Sequence, residues 1–565
     1  MRRIFFSVLL AAASIIATAA PVDRQKALLS ARKILSDKKV REATLPLAVR
    51  KRFKAVSPTA APAFYVFNAD DGKGFAIVAG DDVFPEFVGY SDTGTFRENV
   101  ELPCGLEAFL EFYIQYVTDV RAGRAEAPKH RAPMKRAPRA SVAPLLNSSF
   151  GQDAPYNNLC LNADNVLCPC GCVATAVAQI MYYWRWPKVR EGKIGYNWDV
   201  VMPSTEENLA SADASEVIAQ VCKDIGTAVQ MSYAPTGSGA QSCRVVEAFG
   251  GRFGYTPYTL RHQWRICAAD DEEWLNLIKT ELIGGRPVYF SASSPIGGGR
   301  DSGGHAFVVD GYNESNFVHV NWGWDGAFNG DYDLVQLNPQ AYSFVQDQTI
   351  ITGVRPAYGT QTGQPQYFMQ LRTPPEYTGA TSIRTSLEFN IGVGDFYNFT
   401  SVSHTWQYTI GIFDTSLRLL GTIHTSRAIP SVTLGMYHYI PWENRMAIPC
   451  KLNAYGDGDY VLRVIFREQG SEEWQVPDMV GGQAKNMIPI RIANKKVQFN
   501  ADVVITDIDR VWESAQADGN TRLTIYNLSG HVLYDGKPEG FSLSKMQGHG
   551  VVIVKNGNEI RKLAY

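Results

Sequence analysis

The sequence predicts a central α+β domain set between an N-terminal α+β domain and C-terminal all-β modules. Three observations carry this. Val173 to Tyr183 is an apolar run with no Gly or Pro until Pro187, which reads as a helix buried on nearly every side. Ala306 to Val309 and Phe317 to Val320 read as two strands of a hairpin around an Asn313 to Asn316 turn. Past Asn338-Pro339 the pattern changes to short alternating strands with turn signals. At 565 residues the chain is too long for one core.

The first residues, Met1 to Ala20, carry Arg2 and Arg3, an apolar core from Ile4 to Ile16 and the small exit Ala17-Thr18-Ala19. That order describes a signal peptide cleaved after Ala19, so residues 1–19 leave and the mature chain is secreted or held at the cell surface. Residues 20–143 then form a module of their own. Gln25 to Leu35 and Leu106 to Val117 read as helices, and Phe64 to Asn68 and Gly74 to Asp82 as strands between them. Arg121 to Ala143, with Arg124, Lys129, Arg131, Lys135, Arg136 and Arg139 among Ala and Pro, cannot build a core and reads as an exposed linker. Exposed extended backbone is what proteases cut, so maturation cleavage is expected there or just after it, before Gln152.

Residues 144–357 hold the chemistry. A cysteine thiol with an ordinary pKa of about 8.5 attacks a carbonyl well only when helped to ionise. Cys172 sits where the Val173 to Tyr183 helix begins, and its backbone N–H groups and dipole favour a negative sulfur. His305, in GGHAFVVDGY, precedes the first hairpin strand. If Tyr312 pairs with Phe317, His305 lies opposite Asn321 to Trp324 within VNWGWDG. An imidazole that takes a proton from sulfur needs an orienting bond or a packed wall, which Asn321 and Trp322 are placed to supply.

Cys172 within GCVATAVAQIM, His305 within GGHAFVVDGY and VNWGW at Val320 to Trp324 together resemble the streptopain family of secreted cysteine proteinases. The resemblance implies a papain-like fold, endopeptidase activity, Cys172 as nucleophile, His305 as general base and acid, and Trp322 packed beside the histidine. It extends to Gln152 in FGQDAPYN as an oxyanion-hole donor. Ser238 and Gly239 in SYAPTGSGAQS, and Gly304, resemble substrate-contacting positions, with the Ser and Gly order swapped relative to the family. The pattern of residues 20–143 resembles the family's propeptide, which implies a folded inhibitory prodomain acting on its own active site. Protein or peptide substrates follow. No metal or organic cofactor is implied.

Nine cysteines leave at least one without an intramolecular partner, which suits a free nucleophile. Cys168-Pro-Cys170-Gly-Cys172 invites a metal reading, but no Cys or His group at zinc spacing answers it nearby. Cys168 with Cys160, or Cys170 with a distant partner, suits a disulfide. Cys222, in a helical pattern with Val217, Ile218, Val221 and Ile225, reads as an inert core residue. His319 reads as structural, and Asp310 as either an orienting or a turn carboxylate.

Residues 358–499 read as a β-sandwich, with His404, His424 and His438 as satisfied surface or core residues. Residues 500–565, with LTIYNLSGHVLY and GHGVVIVKNGNEIRKL, resemble the C-terminal sorting domain of type IX secretion cargo. That resemblance implies contact with secretion machinery and outer-membrane anchoring. A net charge of −2 gives no case for a nucleic-acid partner or a charged membrane surface. Two other classes fit parts of the pattern. One is a thiol acyl-transferase such as a transglutaminase; the other is a non-catalytic surface adhesin on a papain-like scaffold.

Overall fold

A computed structural model describes residues 20–503 except 37, 46–60, 98, 129–140, 189–194, 257–258, 266–267, 269–270, 294–303, 335–347, 358–368, 372, 395, 399–402, 435–437, 441–444 and 480–484. It also describes four strands beyond them. Residues 1–19, expected to be a signal peptide, and most of the basic linker lie outside the described residues. The chain divides into two compact units, Met1–Gln366 and Tyr367–Tyr565.

In the first unit one ten-stranded sheet runs from the N-terminal module into the central domain. Strands β1 (Val40–Glu42), β2 (Phe64–Ala69), β3 (Phe75–Ala79) and β4 (Phe87–Ser91) are antiparallel neighbours. The remaining strands are β5 (Arg261–Trp264), β6 (Val288–Ser293), β7 (Gly304–Tyr312), β8 (Val318–Asn321), β9 (Gly330–Tyr332) and β10 (Thr349–Thr352). Their order continues β4-β9-β8-β7-β6-β10-β5, and the seam between modules is Gly89 opposite Tyr332 and Tyr90 opposite Asp331.

Helices cover both faces because successive strand residues point to opposite sides. On β7, Phe307 and Val309 join a core that includes α2 (Cys104–Arg121), while Ala306 and Val308 join the core around α3 (Cys172–Trp184). The first helix, α1 (Arg24–Ile34), closes a smaller core on the outer face of β1 to β3. Two further helices, α4 (Thr205–Ala210) and α5 (Ala212–Ala228), follow α3, and α5 packs its Ile218, Val221, Cys222 and Ile225 against it.

Two sequence expectations are corrected here. Helix α2 runs on through Arg121, which is no part of an exposed linker. Its guanidinium pairs with the fully buried Asp81 carboxylate at 2.5 Å and donates to the Ala61 carbonyl at 2.7 Å. In the hairpin, Val308 faces Asn321 as expected, but a bulge at Asp310 shifts the turn end so that Tyr312 faces Val318. The extra residue has a use: the buried Asp310 carboxylate accepts from the Leu146 N–H at 2.9 Å and meets His319 Nδ1 at 2.6 Å.

Among the described residues the second unit is all β. Sheets of seven, four and two strands enclose a core of residues such as Met369, Ile391, Trp406, Ile410 and Val464. His404 stacks on Trp406 with ring centroids 5.3 Å apart, and His424 meets the Thr409 hydroxyl at 3.0 Å. Leu523–Asn527, Val532–Gly536, Val551–Asn556 and Glu559–Ala564 form a separate antiparallel four-stranded sheet. Among the described residues no helix is long and apolar enough to cross a membrane.

Candidate active site

Cys172 is the first residue of α3, and the helix is capped by Gly171, whose φ of 92° is open only to a residue without a Cβ. No side chain caps this end. The N–H groups of the first turn are therefore free to face a sulfur or a bound oxyanion. Two polar residues interrupt the apolar helix and tie it to the segment before Gln152. Thr175 donates its hydroxyl to Gly151 O or Gly171 O, each at 3.2 Å. The amide oxygen of Gln179, fully buried, accepts from the Ser148 hydroxyl at 3.1 Å. The Cys170 N–H closes the loop onto Gln152 O at 2.8 Å. These anchors bring Gln152 beside the nucleophile loop, and Thr175 and Gln179 were the residues sequence reasoning missed. Their signal was polarity at i and i+4 in an otherwise apolar helix.

The Cys172 sulfur accepts from the Ala306 N–H at 3.5 Å, so the start of β7 lies at the thiol. His305 is the residue before that contact. Among the described residues no hydrogen bond joins the His305 ring to the sulfur. Both groups are held neutral. Burial raises the Cys172 thiol above its usual range, outweighing the Ala306 and Val173 N–H groups that favour the thiolate. Burial likewise pushes His305 down to about 4.

The N-terminal module covers this place. Gly105, in the first turn of α2, is so close to Trp322 that a Cβ there would lie 2.8 Å from the indole ring and 3.2 Å from Phe307. Its neighbour Cys104 lies close enough to Cys172 for the two thiols to influence each other, and burial is the larger cause that raises the Cys104 thiol.

The other expected residues are distributed around the thiol. Trp322 donates its indole N–H to Phe328 O at 3.1 Å and packs on Phe307 at 4.8 Å and Tyr332 at 5.2 Å between ring centroids. Among the described residues it makes no ring contact with His305. Asn321 is buried and donates to Ser148 O at 2.6 Å, which orients the segment before Gln152 and leaves His305 without that partner here. Ser238 is buried with its carbonyl against Gly171, where a Cβ would stand 2.8 Å from it. Gly239 is exposed and bridges Ser232. Gly304 is exposed and pairs with Ser293 on β6. Among the described residues no group of three or more His, Cys, Asp or Glu is arranged to hold a metal ion.

The chain is similar in sequence to known proteins. Residues 150–332 match the Peptidase C10 family, and residues 19–117 match the Spi protease inhibitor family. Streptopain of Streptococcus pyogenes is 31% identical over 345 residues, 52% of this chain and 80% of streptopain. The chain belongs to the peptidase C10 family. It is a C10 cysteine peptidase by descent, made with an inhibitory propeptide ahead of the peptidase domain. The thiol protease/hemagglutinin PrtT of Porphyromonas gingivalis is 28% identical over 578 residues, 93% of this chain, which spans 63% of the length of PrtT. Among solved structures, a Prevotella intermedia prointerpain A fragment superposes with a TM-score of 0.45 at 26% identity, covering 57% of this chain and all of the fragment.

Proposed function

We propose that this C10 peptidase is an exported endopeptidase held inactive by residues 20–143 and released by cleavage in the basic linker. The observation that carries the reading is one juxtaposition. A thiol at the start of α3, where no side chain caps the helix, meets β7 one residue from His305, and the first turn of α2 lies against the aromatic wall beside it.

Once the propeptide leaves, His305 becomes free to turn toward the sulfur and take its proton. The Cys172 thiolate attacks the scissile carbonyl, and the Cys172 N–H and Gln152 amide stabilise the oxyanion. His305 then gives its proton to the leaving amine. Water hydrolyses the thioester and returns the thiol. Trp322 acts as a wall that fixes the site rather than as a hydrogen-bond partner. Gly304, Gly239 and the Ser238 region offer backbone that a substrate peptide can approach closely. Reductant supports the reaction by keeping Cys172 off the oxidation ladder.

Export rests on the leader-like residues 1–19, and outer-membrane sorting on the resemblance of residues 500–565 to type IX cargo. The hemagglutinin half of the PrtT name keeps a binding role open for the C-terminal β unit. A thiol-directed epoxide tests the catalytic reading. The matured chain gains one adduct on Cys172, and His305→Ala loses most of the labelling rate; equal labelling of both chains contradicts the dyad.

A further inference from the structure

Asp325 lies in the loop after Trp322 and has no part in the chemistry above. Its backbone φ is 53°, between Gly323 at 69° and Gly326 at 78°. That left-handed region suits glycine better than a residue with a Cβ, so a carboxylate kept there calls for a use. The carboxylate fills the place of the side chain that Gly151 lacks. A Cβ on Gly151 would lie 2.7 Å from the Asp325 Cγ and 2.9 Å from its Oδ2. Gly151 directly precedes Gln152. Hydrogen bonds fix the carboxylate where it stands. The Asp325 N–H donates to Phe150 O at 3.1 Å, and the Thr205 hydroxyl, at the start of α4, donates to Asp325 Oδ1 at 2.5 Å. Because the hydrogen of Thr205 is committed to the carboxylate, the buried Tyr156 hydroxyl, 3.0 Å away, donates to Thr205 in turn. Thr175 reaches the Gly151 carbonyl at 3.2 Å, and the Cys170 N–H reaches the Gln152 carbonyl at 2.8 Å. The Gly151–Gln152 backbone is therefore held through both carbonyls and braced by Asp325 at the Gly151 Cα.

We propose that Asp325 is a positioning residue for the oxyanion site: fixed by Thr205, its carboxylate braces Gly151 and sets where the Gln152 amide meets the developing oxyanion. This role rests on the reading of Gln152 as an oxyanion donor. Such a donor acts only when aimed at the oxyanion, and a misplacement of about 1 Å costs on the order of 10²-fold in rate. The brace works by shape and not by charge, since a carboxylate gives a developing oxyanion no stabilisation. An asparagine, which has the same shape and an oxygen able to accept from Thr205, serves equally well. Asp325 is exposed, and without it the Thr205 hydroxyl still has Ser149 O at 3.2 Å to bond, so the loss falls on alignment and not on the core.

The test uses the chain from residue 20 to 565, cut in the basic linker by a trace protease so that maturation does not depend on each variant's own activity. Turnover is followed on an internally quenched peptide copied from a casein cleavage site. Asp325→Gly relieves the left-handed backbone and removes the brace; its kcat is expected to fall about tenfold or more with KM unchanged. Asp325→Asn keeps the wild-type kcat. Iodoacetamide alkylates the Cys172 thiolate without building an oxyanion, and its rate on the Cys172 peptide stays at the wild-type value in every chain. On a Gln152→Ala background, Asp325→Gly lowers kcat no further, because the donor it aligns is gone. A wild-type kcat in Asp325→Gly while Gln152→Ala is slowed overturns the positioning role and leaves the donor standing. A wild-type kcat in Gln152→Ala overturns both. Slowed alkylation in Asp325→Gly, or its full loss of kcat repeated on the Gln152→Ala background, overturns the role by showing a general structural effect.

Discussion

Gly105 of the propeptide lies against Trp322 of the peptidase with no room for a side chain between them. The rings of Trp322, Phe307 and Tyr332 pack on one another, so the indole cannot yield without disturbing its neighbours. Gly105→Leu therefore drives the start of α2 off the site, at a cost of about 1–3 kcal/mol for an overpacked core. The full-length chain then melts lower and matures faster than wild type. Unchanged melting and processing would show that this contact does not hold the propeptide down.

Burial sets the acid response through His305. Its folded pKa of about 4 lies below the ordinary 6.5, so the unfolded chain binds more protons between those values. The stability this neutral histidine supports is present above pH 6.5 and falls away as pH drops toward 4. Urea unfolding of the Cys172→Ala chain across that range should show a loss that His305→Gln removes. The same slope in both chains assigns the acid response to other groups.

Much of this site was legible because its signals are local. The Cys172 helix announces itself by eleven positions without a breaker, nine of them apolar, and the pairing of Val308 with Asn321 keeps the expected register despite the bulge nearer the turn. What failed needed distant partners. Arg121 looks like the first charge of a basic linker until Asp81, forty residues earlier, is seen buried beneath it. The Asp310 bulge depends on His319 and Leu146. The state of Cys172 and His305 was unreadable for a further reason: it is set by burial, which no motif encodes.

The Arg121 pair predicts a stability effect remote from the chemistry. Arg121→Met leaves the Asp81 carboxylate buried and unpaired, which costs about 3–5 kcal/mol. Denaturant unfolding should show the loss, and Asp81→Leu in the same chain should recover much of it. A loss below about 1 kcal/mol, the size of an exposed pair, would contradict the buried clamp.

His319 responds to pH with the opposite sign. Burial opposes its charge, but the Asp310 hydrogen bond and the charges of Asp310 and Asp331 raise its pKa above the ordinary 6.5. The stability from the charged pair is therefore complete below 6.5 and is lost as pH rises through the raised value. Asp310→Ala should destabilise the chain more under mildly acidic than under alkaline conditions, read by thermal melting. A larger effect at alkaline pH would contradict the ion pair.

The most direct test of the account compares residues 20–565 with and without Cys172→Ala, in reductant, before and after a trace protease cuts the basic linker. Fragment masses and casein digestion are followed together. The account predicts that the wild-type chain digests casein only after cleavage between Arg121 and Gln152, and that the variant is cut there yet digests nothing. Digestion by the cleaved variant, or by the intact wild-type chain at the rate of the cleaved one, would contradict it.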